Sequence, residues 1–126
     1  MKKWIISACL LMMQAGAWAK VTLPDIMSDN MVLQQQTEAC LWGKANANAE
    51  VTIRPSWNRE TYKVTAGADG KWIAKIKTPT ASYNAYTISI SDGEEIILNN
   101  VLVGEVWFCS GQSNMEMPLR GFWNCP

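Results

Sequence analysis

The sequence predicts a mainly β protein: an N-terminal antiparallel β-sandwich over residues 20–103, followed over 104–126 by the first strand and exit turn of an α/β domain. Three observations carry that reading. Short β-branched and aromatic runs follow one another from Lys20 to about Val103, with no helical stripe among them. The runs alternate apolar with polar residues, so each strand buries one face and wets the other. At Val101 the texture changes, and Val101-Leu102-Val103-Gly104-Glu105-Val106-Trp107-Phe108-Cys109 becomes nearly continuous apolar sequence. A strand covered on both faces of a parallel sheet has that composition.

In order along the chain, the expected strands are Met31 to Gln34, Ala39 to Trp42, Glu50 to Arg54, Glu60 to Thr65, Lys71 to Ile76, Tyr86 to Ser91 and Glu94 to Leu98. Ala68-Asp69-Gly70 separates two alternating runs and predicts a hairpin. Ser91-Asp92-Gly93 predicts a second, with Gly93 free to take a positive φ. Pro24, Pro55 and Pro79 fall at run ends, where a missing amide proton is tolerated. Asn46-Ala47-Asn48-Ala49 reads as a loop.

The first nineteen residues read as a signal peptide: Lys2 and Lys3 precede an apolar run from Trp4 to Met13, and Ala17-Trp18-Ala19 supplies a small-x-small cleavage pattern. Two alternatives fit less well. A membrane anchor needs roughly 20 continuous apolar residues, more than this run contains, so no stable membrane insertion is expected. A lipoprotein signal at Ile6-Ser7-Ala8-Cys9 would have only a few apolar residues before its cysteine. The expected location is the periplasm or the exterior.

The chain has 126 residues, with 11 basic and 11 acidic side chains and zero formal charge. It therefore lacks the basic footprint of a nucleic-acid or anionic-membrane binder, and no nucleic-acid partner is expected. A 48% hydrophobic content and seven tryptophans supply material for a core. A domain of about 80 residues nevertheless buries only some 60 to 65% of its unfolded surface, so modest stability is expected. Of the four cysteines, Cys40, Cys109 and Cys125 lie beyond the leader; they lack metal-ligand spacing. A Cys109–Cys125 bridge and buried free thiols are both compatible with an exported chain.

The segment after the apolar run is Ser110-Gly111-Gln112-Ser113-Asn114-Met115-Glu116-Met117-Pro118, which reads as a tight turn. A serine hydroxyl becomes a nucleophile only when a base takes its proton and fixed donors meet the oxyanion. A serine just past the C-terminal end of a central strand stands at the rim where α/β sheets bind ligands. Gly111 would allow the sharp turn, and the Ser113 amide would face the substrate carbonyl. The same residues have a structural reading, because Ser113-x-x-Glu116 is also a capping box. Met115 stands where a Gly-x-Ser-x-Gly elbow has its second glycine, so that motif is not matched.

The block from Gly104 to Pro118 resembles the nucleophile segment of sialate O-acetylesterases. Leu23-Pro24-Asp25-Ile26-Met27-Ser28-Asp29-Asn30-Met31-Val32-Leu33-Gln34-Gln35 is similar to the start of mature proteins of that family. The resemblance implies a β-sandwich followed by an SGNH-type α/β hydrolase domain that removes acetyl groups from sugar hydroxyls through a Ser-His-Asp style site. It makes Ser113 the catalytic nucleophile and Gly111, Gln112 and Asn114 supporting turn residues, with no metal or cofactor and with an O-acetylated sugar as substrate.

One departure is large: the sequence contains no histidine, and a serine esterase needs a base that titrates near neutrality. The carboxylates Asp25, Asp29, Asp69 and Asp92 fall in the expected sandwich and are no substitute. The chain is therefore expected to be the N-terminal part of an esterase, inactive alone. Two other functions remain open: a carbohydrate-binding β-sandwich without catalysis, in which Trp42, Trp57, Trp72 or Trp107 would form a sugar platform, and an acetylxylan-type esterase. Arg120 is a further candidate for pairing with a substrate carboxylate.

Overall fold

The computed structural model describes residues 20–112 and residue 115. The expected signal peptide, Ser113, Asn114, Met117, Arg120 and Cys125 lie outside the described residues, as does most of the expected second domain. Seven strands run in chain order: β1 (Val32–Gln34), β2 (Glu38–Lys44), β3 (Glu50–Pro55), β4 (Tyr62–Thr65), β5 (Lys71–Lys77), β6 (Ser82–Ser91) and β7 (Glu95–Gly104). They form a five-stranded sheet in the order β1-β7-β6-β3-β4 and a two-stranded sheet of β2 and β5. Every pair is antiparallel except β1 with β7, which is parallel and joins Val32–Gln34 to Leu102–Gly104.

Alternation decides what each strand buries. On β5, Trp72, Ala74 and Ile76 point inward while Lys71, Ile73, Lys75 and Lys77 face solvent. Opposite them on β2, Leu41 pairs with Ala74 and Ala39 with Ile76. The larger sheet contributes Val51, Ile53, Ile88, Ile90, Leu98 and Val101 to the same cluster. One core thus draws on both sheets, and the protein is mainly β as its sequence predicts.

Two expectations need correction. The Ala68-Asp69-Gly70 segment does not make a hairpin, because β4 pairs with β3 while β5 pairs along seven residues with β2. The turn carries the chain from one sheet to the other, held by a Gly67 N–H to Lys71 carbonyl bond of 2.8 Å and an Ala45 N–H to Gly70 carbonyl bond of 2.8 Å. Both flanking runs alternate, but their apolar faces enter the core from different sheets. The Ser91-Asp92-Gly93 turn does join paired strands, Ser91 lying opposite Glu95, with Gly93 at φ 125°.

The second correction concerns Val101. Residues 101–104 do not begin a new strand; they complete β7, and Val106, Trp107 and Phe108 beyond it are exposed. The strand expected to end at Leu98 continues through Asn99-Asn100, which forms a bulge. Asn100 takes a left-handed φ of 53°, which asparagine tolerates better than most residues. The extra residue shifts the phase, so that Leu98 and Val101 both face inward although three positions apart. Asn30 secures the bulge, its N–H bonding to the Asn99 carbonyl at 3.0 Å and its side-chain oxygen accepting from Asn100 Nδ2 at 2.7 Å.

β6 is irregular at its start, where Ser82 lies opposite Val103 but Tyr86 opposite Val101. Four residues of β6 thus oppose two of β7, and Tyr83 is pushed fully into solvent.

A polar knot ties β1 to the segment between β5 and β6. Thr78, 8% exposed, is a buried polar residue among the described ones. Its hydroxyl lies 2.7 Å from the Gln34 carbonyl and 3.0 Å from that of Thr37, and accepts the Thr37 N–H at 3.1 Å. Gln36 follows at φ 49°, its N–H bonded to the Pro79 carbonyl and its side chain to Thr80.

Two stability tests follow from this packing. Ile90→Ala empties a fully buried site and is expected to cost about 2 to 5 kcal/mol in urea denaturation, whereas Tyr83→Ala, at a fully exposed site, should change stability by less than about 0.5 kcal/mol. Thr78→Val keeps the shape but orphans the Thr37 amide and the Gln34 carbonyl, at a cost of about 1 to 3 kcal/mol in the same measurement.

Candidate functional site

β7 carries the chain toward the expected site. It is held between β6 and β1, and Val101 and Val103 are buried almost completely just before its end. The first residue past the strand, Glu105, is gripped from β1: Gln34 Nε2 donates to one carboxylate oxygen at 2.9 Å and Gln35 Nε2 to the other at 2.5 Å. Gln34 also turns its own oxygen to the Val106 N–H at 2.8 Å. Gln35 is fixed at both ends as well, through its N–H to the Gly104 carbonyl at 2.8 Å and its side-chain oxygen to the Ala81 N–H at 2.8 Å.

The Glu105 carboxyl titrates below its ordinary value, first because of the Gln34 hydrogen bond and then because of the Gln35 one. Both bonds favour the ionised acceptor. Their stabilising effect is therefore complete above the ordinary glutamate range and is lost as pH falls through the lowered value.

Beyond this grip the chain leaves the sheet. Val106, Trp107 and Phe108 are exposed, Phe108 at 94%. Gly111 has φ 151°, a conformation other residues adopt rarely, while a Cβ added there would meet Met115 only at an ordinary 3.7 Å. The backbone angle, not crowding, is what calls for glycine. The Gln112 carbonyl accepts the Met115 N–H at 3.0 Å, a turn-type bond between the residues on either side of positions 113 and 114. Of the four residues singled out from the sequence, Gly111 and Gln112 thus lie exposed beyond the strand, and Ser113 and Asn114 lie outside the described residues.

A cleft of about 370 Å³ opens beside the exit, lined by Val32, Ser82, Tyr83, Leu102, Gly104 and Glu105. A separate groove of about 440 Å³ lies on the outer face of the small sheet, where Trp42 and Ile73 are cross-strand neighbours between Leu23, Pro24, Lys44 and Lys71.

The tryptophans divide accordingly. Trp72 is core, and Trp57 donates its N–H to the Lys77 carbonyl at 2.9 Å and meets Tyr86 edge-on, so neither is a free platform. Trp42 and Trp107 present exposed faces.

Two of the four aspartates expected in the sandwich accept backbone N–H groups. Asp29 accepts the Asn99 N–H at 2.7 Å, and Asp69 accepts the Lys71 N–H at 3.1 Å, a bond that lowers its titration. Cys40 and Cys109 are exposed free thiols rather than buried ones. Among the described residues, no group of three or more histidines, cysteines, aspartates or glutamates could hold a metal ion. Among them, too, no helix is long and apolar enough to cross a membrane.

The grip on Glu105 was not foreseen from the sequence. Its signals were a single carboxylate inside an apolar run and three consecutive glutamines closing β1, both of which look like ordinary solvated positions.

No family model matches the chain. The sialate O-acetylesterase of Rattus norvegicus is 30% identical over 118 residues, covering 86% of this chain and 22% of that protein. The human sialate O-acetylesterase is 31% identical over 108 residues, covering 78% of this chain and 20% of the relative. Among solved structures, a carbohydrate acetylesterase from Xanthomonas citri matches with a TM-score of 0.67 and 34% identity, over 79% of this chain and 22% of that one. The chain thus spans about a fifth of the length of the curated relatives it matches. Likeness in sequence and in fold agree, and the chain belongs to the sialate O-acetylesterase family of carbohydrate acetylesterases.

Proposed function

We propose that this chain supplies the β-sandwich and the nucleophile segment of an exported serine esterase that removes O-acetyl groups from sialic acid or a related sugar. The observation that carries the proposal is the strand-to-turn passage: β7 ends in a fixed exit at Glu105, and the exposed residues that follow lead to the Gln112–Met115 bond that brackets Ser113. In this reading residues 104–126 open an SGNH-type hydrolase domain, and 1–19 direct export to the periplasm or the exterior. The apolar run Val106 to Phe108 supports the reading, because a strand awaiting cover has that composition.

The mechanism follows from acyl-transfer chemistry. Ser113 Oγ attacks the acetyl carbonyl while a base takes its proton, and the Ser113 amide stabilises the oxyanion, a donor of a kind worth about 10² to 10³ in rate. Collapse of the tetrahedral adduct breaks the ester bond, and the sugar oxygen leaves with a proton returned by the base. Water then hydrolyses the acetyl-enzyme and releases acetate. Gly111, Gln112 and Asn114 shape the turn. The sequence contains no histidine, so the base comes from residues outside this chain, and the chain alone is inactive.

A second reading is favoured by one observation, the groove on the small sheet. Trp42 presents an aromatic face there beside two lysines, as a carbohydrate-binding surface would. Calorimetric titration of the chain with sugars separates the readings, since binding that Trp42→Ala removes would assign the groove to glycan capture.

The esterase reading is tested by acetate release from O-acetylated sialic acid and from acetylated xylan, using the esterase that contains this chain. Ser113→Ala is expected to lower release by about 10⁴ to 10⁶-fold. Release at the parental rate contradicts the assignment, and preference for xylan would move the substrate to plant glycans.

A further inference from the structure

We propose that Glu105 is a positioning residue, and that its grip by Gln34 and Gln35 sets the direction in which the nucleophile segment leaves β7. The proposal deepens the esterase reading and rests on it for its link to Ser113.

Three features of the geometry argue for direction rather than for mere stability. First, both carboxylate oxygens are engaged, by two successive side chains of one neighbouring segment, so the carboxylate plane is fixed and not only its distance. Second, Gln34 bonds the Val106 N–H with the other end of the same amide, so the backbone after Glu105 is bound to the device that holds its side chain. Third, the glutamines are themselves held in place. Gln35 is tied to the Gly104 carbonyl and the Ala81 N–H, and the Gln34 carbonyl lies 2.7 Å from the buried Thr78 hydroxyl.

Past Val106, no hydrogen bond among the described residues ties 107–111 back to the sheet. Glu105 and Val106 are therefore the last fixed point before Gly111 and Gln112. A small change of angle there is carried through the intervening exposed residues and displaces Ser113. Positional error of about 1 Å at a reacting group can cost 10²-fold in rate.

Consecutive strand residues normally point to opposite faces. Gln34 and Gln35 reach the same carboxylate because β1 ends at Gln34 and the chain then bends, with Gln36 in a left-handed conformation. The short β1 and its parallel pairing to β7 thereby acquire a purpose: they carry the two amides to the strand exit.

The test uses two variants of the chain. Glu105→Ala removes the acceptor. Gln35→Glu combined with Glu105→Gln exchanges the partners, keeping one amide-to-carboxylate bond between positions 35 and 105, the Gln34 contact and an oxygen facing Ala81. Amide hydrogen exchange by NMR is read at Val106 and at the core of β6. Glu105→Ala is expected to speed exchange at Val106 at least tenfold with β6 unchanged, and the exchanged pair to restore it to within about threefold.

Protection at Val106 that survives Glu105→Ala overturns the proposal. So does a parallel acceleration in β6, which would make Glu105 a contributor to global stability only.

In the esterase containing this chain, Glu105→Ala is expected to lower kcat at least tenfold with KM unchanged, and the exchanged pair to recover it. An unchanged kcat overturns the link to catalysis. Failure of the esterase reading itself shows separately, as parental acetate release by Ser113→Ala.

Discussion

Everything at the functional end of this protein depends on β7 being held on both sides. β6 supplies an antiparallel neighbour along most of its length, and β1 supplies a parallel one over Leu102–Gly104. Val101 and Val103 sink into the core between them, so the strand can neither slide nor fray before it ends. A register slip of one residue would turn both valines outward and Leu102 inward. The exit point is therefore fixed by burial first and by hydrogen bonds second. The Glu105 grip adds direction to a strand end whose place the core has already determined.

The alternation that built the core was plain in the sequence, and so were most strand positions. Trp72, Ala74 and Ile76, interleaved with Ile73 and Lys75 and flanked by lysines, announce β5 and its inward face. Pairing was less legible. The Ala68-Asp69-Gly70 segment has the composition of a hairpin turn, yet composition is local and partner choice is not. β5 finds a seven-residue partner in β2, and the turn becomes a passage between sheets. The strand expected to end at Leu98 continues, because Asn99-Asn100 absorbs an extra position within β7. Only the phase of the buried set, Leu98 then Val101, reveals a bulge, and that phase is recognisable once the core is known.

The site shows the same division. Gly111 is read from the sequence as a turn residue, and its φ of 151° is one that glycine adopts more readily than other residues. Glu105 was not, since nothing in an apolar run says what a lone carboxylate touches, and its partners lie some seventy residues earlier, at Gln34 and Gln35. Long-range polar pairs of this kind leave little local trace. The similarity to sialate O-acetylesterases and to a carbohydrate acetylesterase from Xanthomonas citri supplied what local reasoning could not, a family for the chain.

The measurement that tests the account most directly is covalent trapping during turnover. An alkyl fluorophosphonate added to the esterase containing this chain, with O-acetylated sugar as a competitor, should leave its phosphonyl group on the peptide that carries Ser113, and the sugar should protect that peptide. An adduct mapped to another residue while hydrolysis is lost, or lost hydrolysis with Ser113 unmodified, would contradict the claim that β7 delivers the nucleophile.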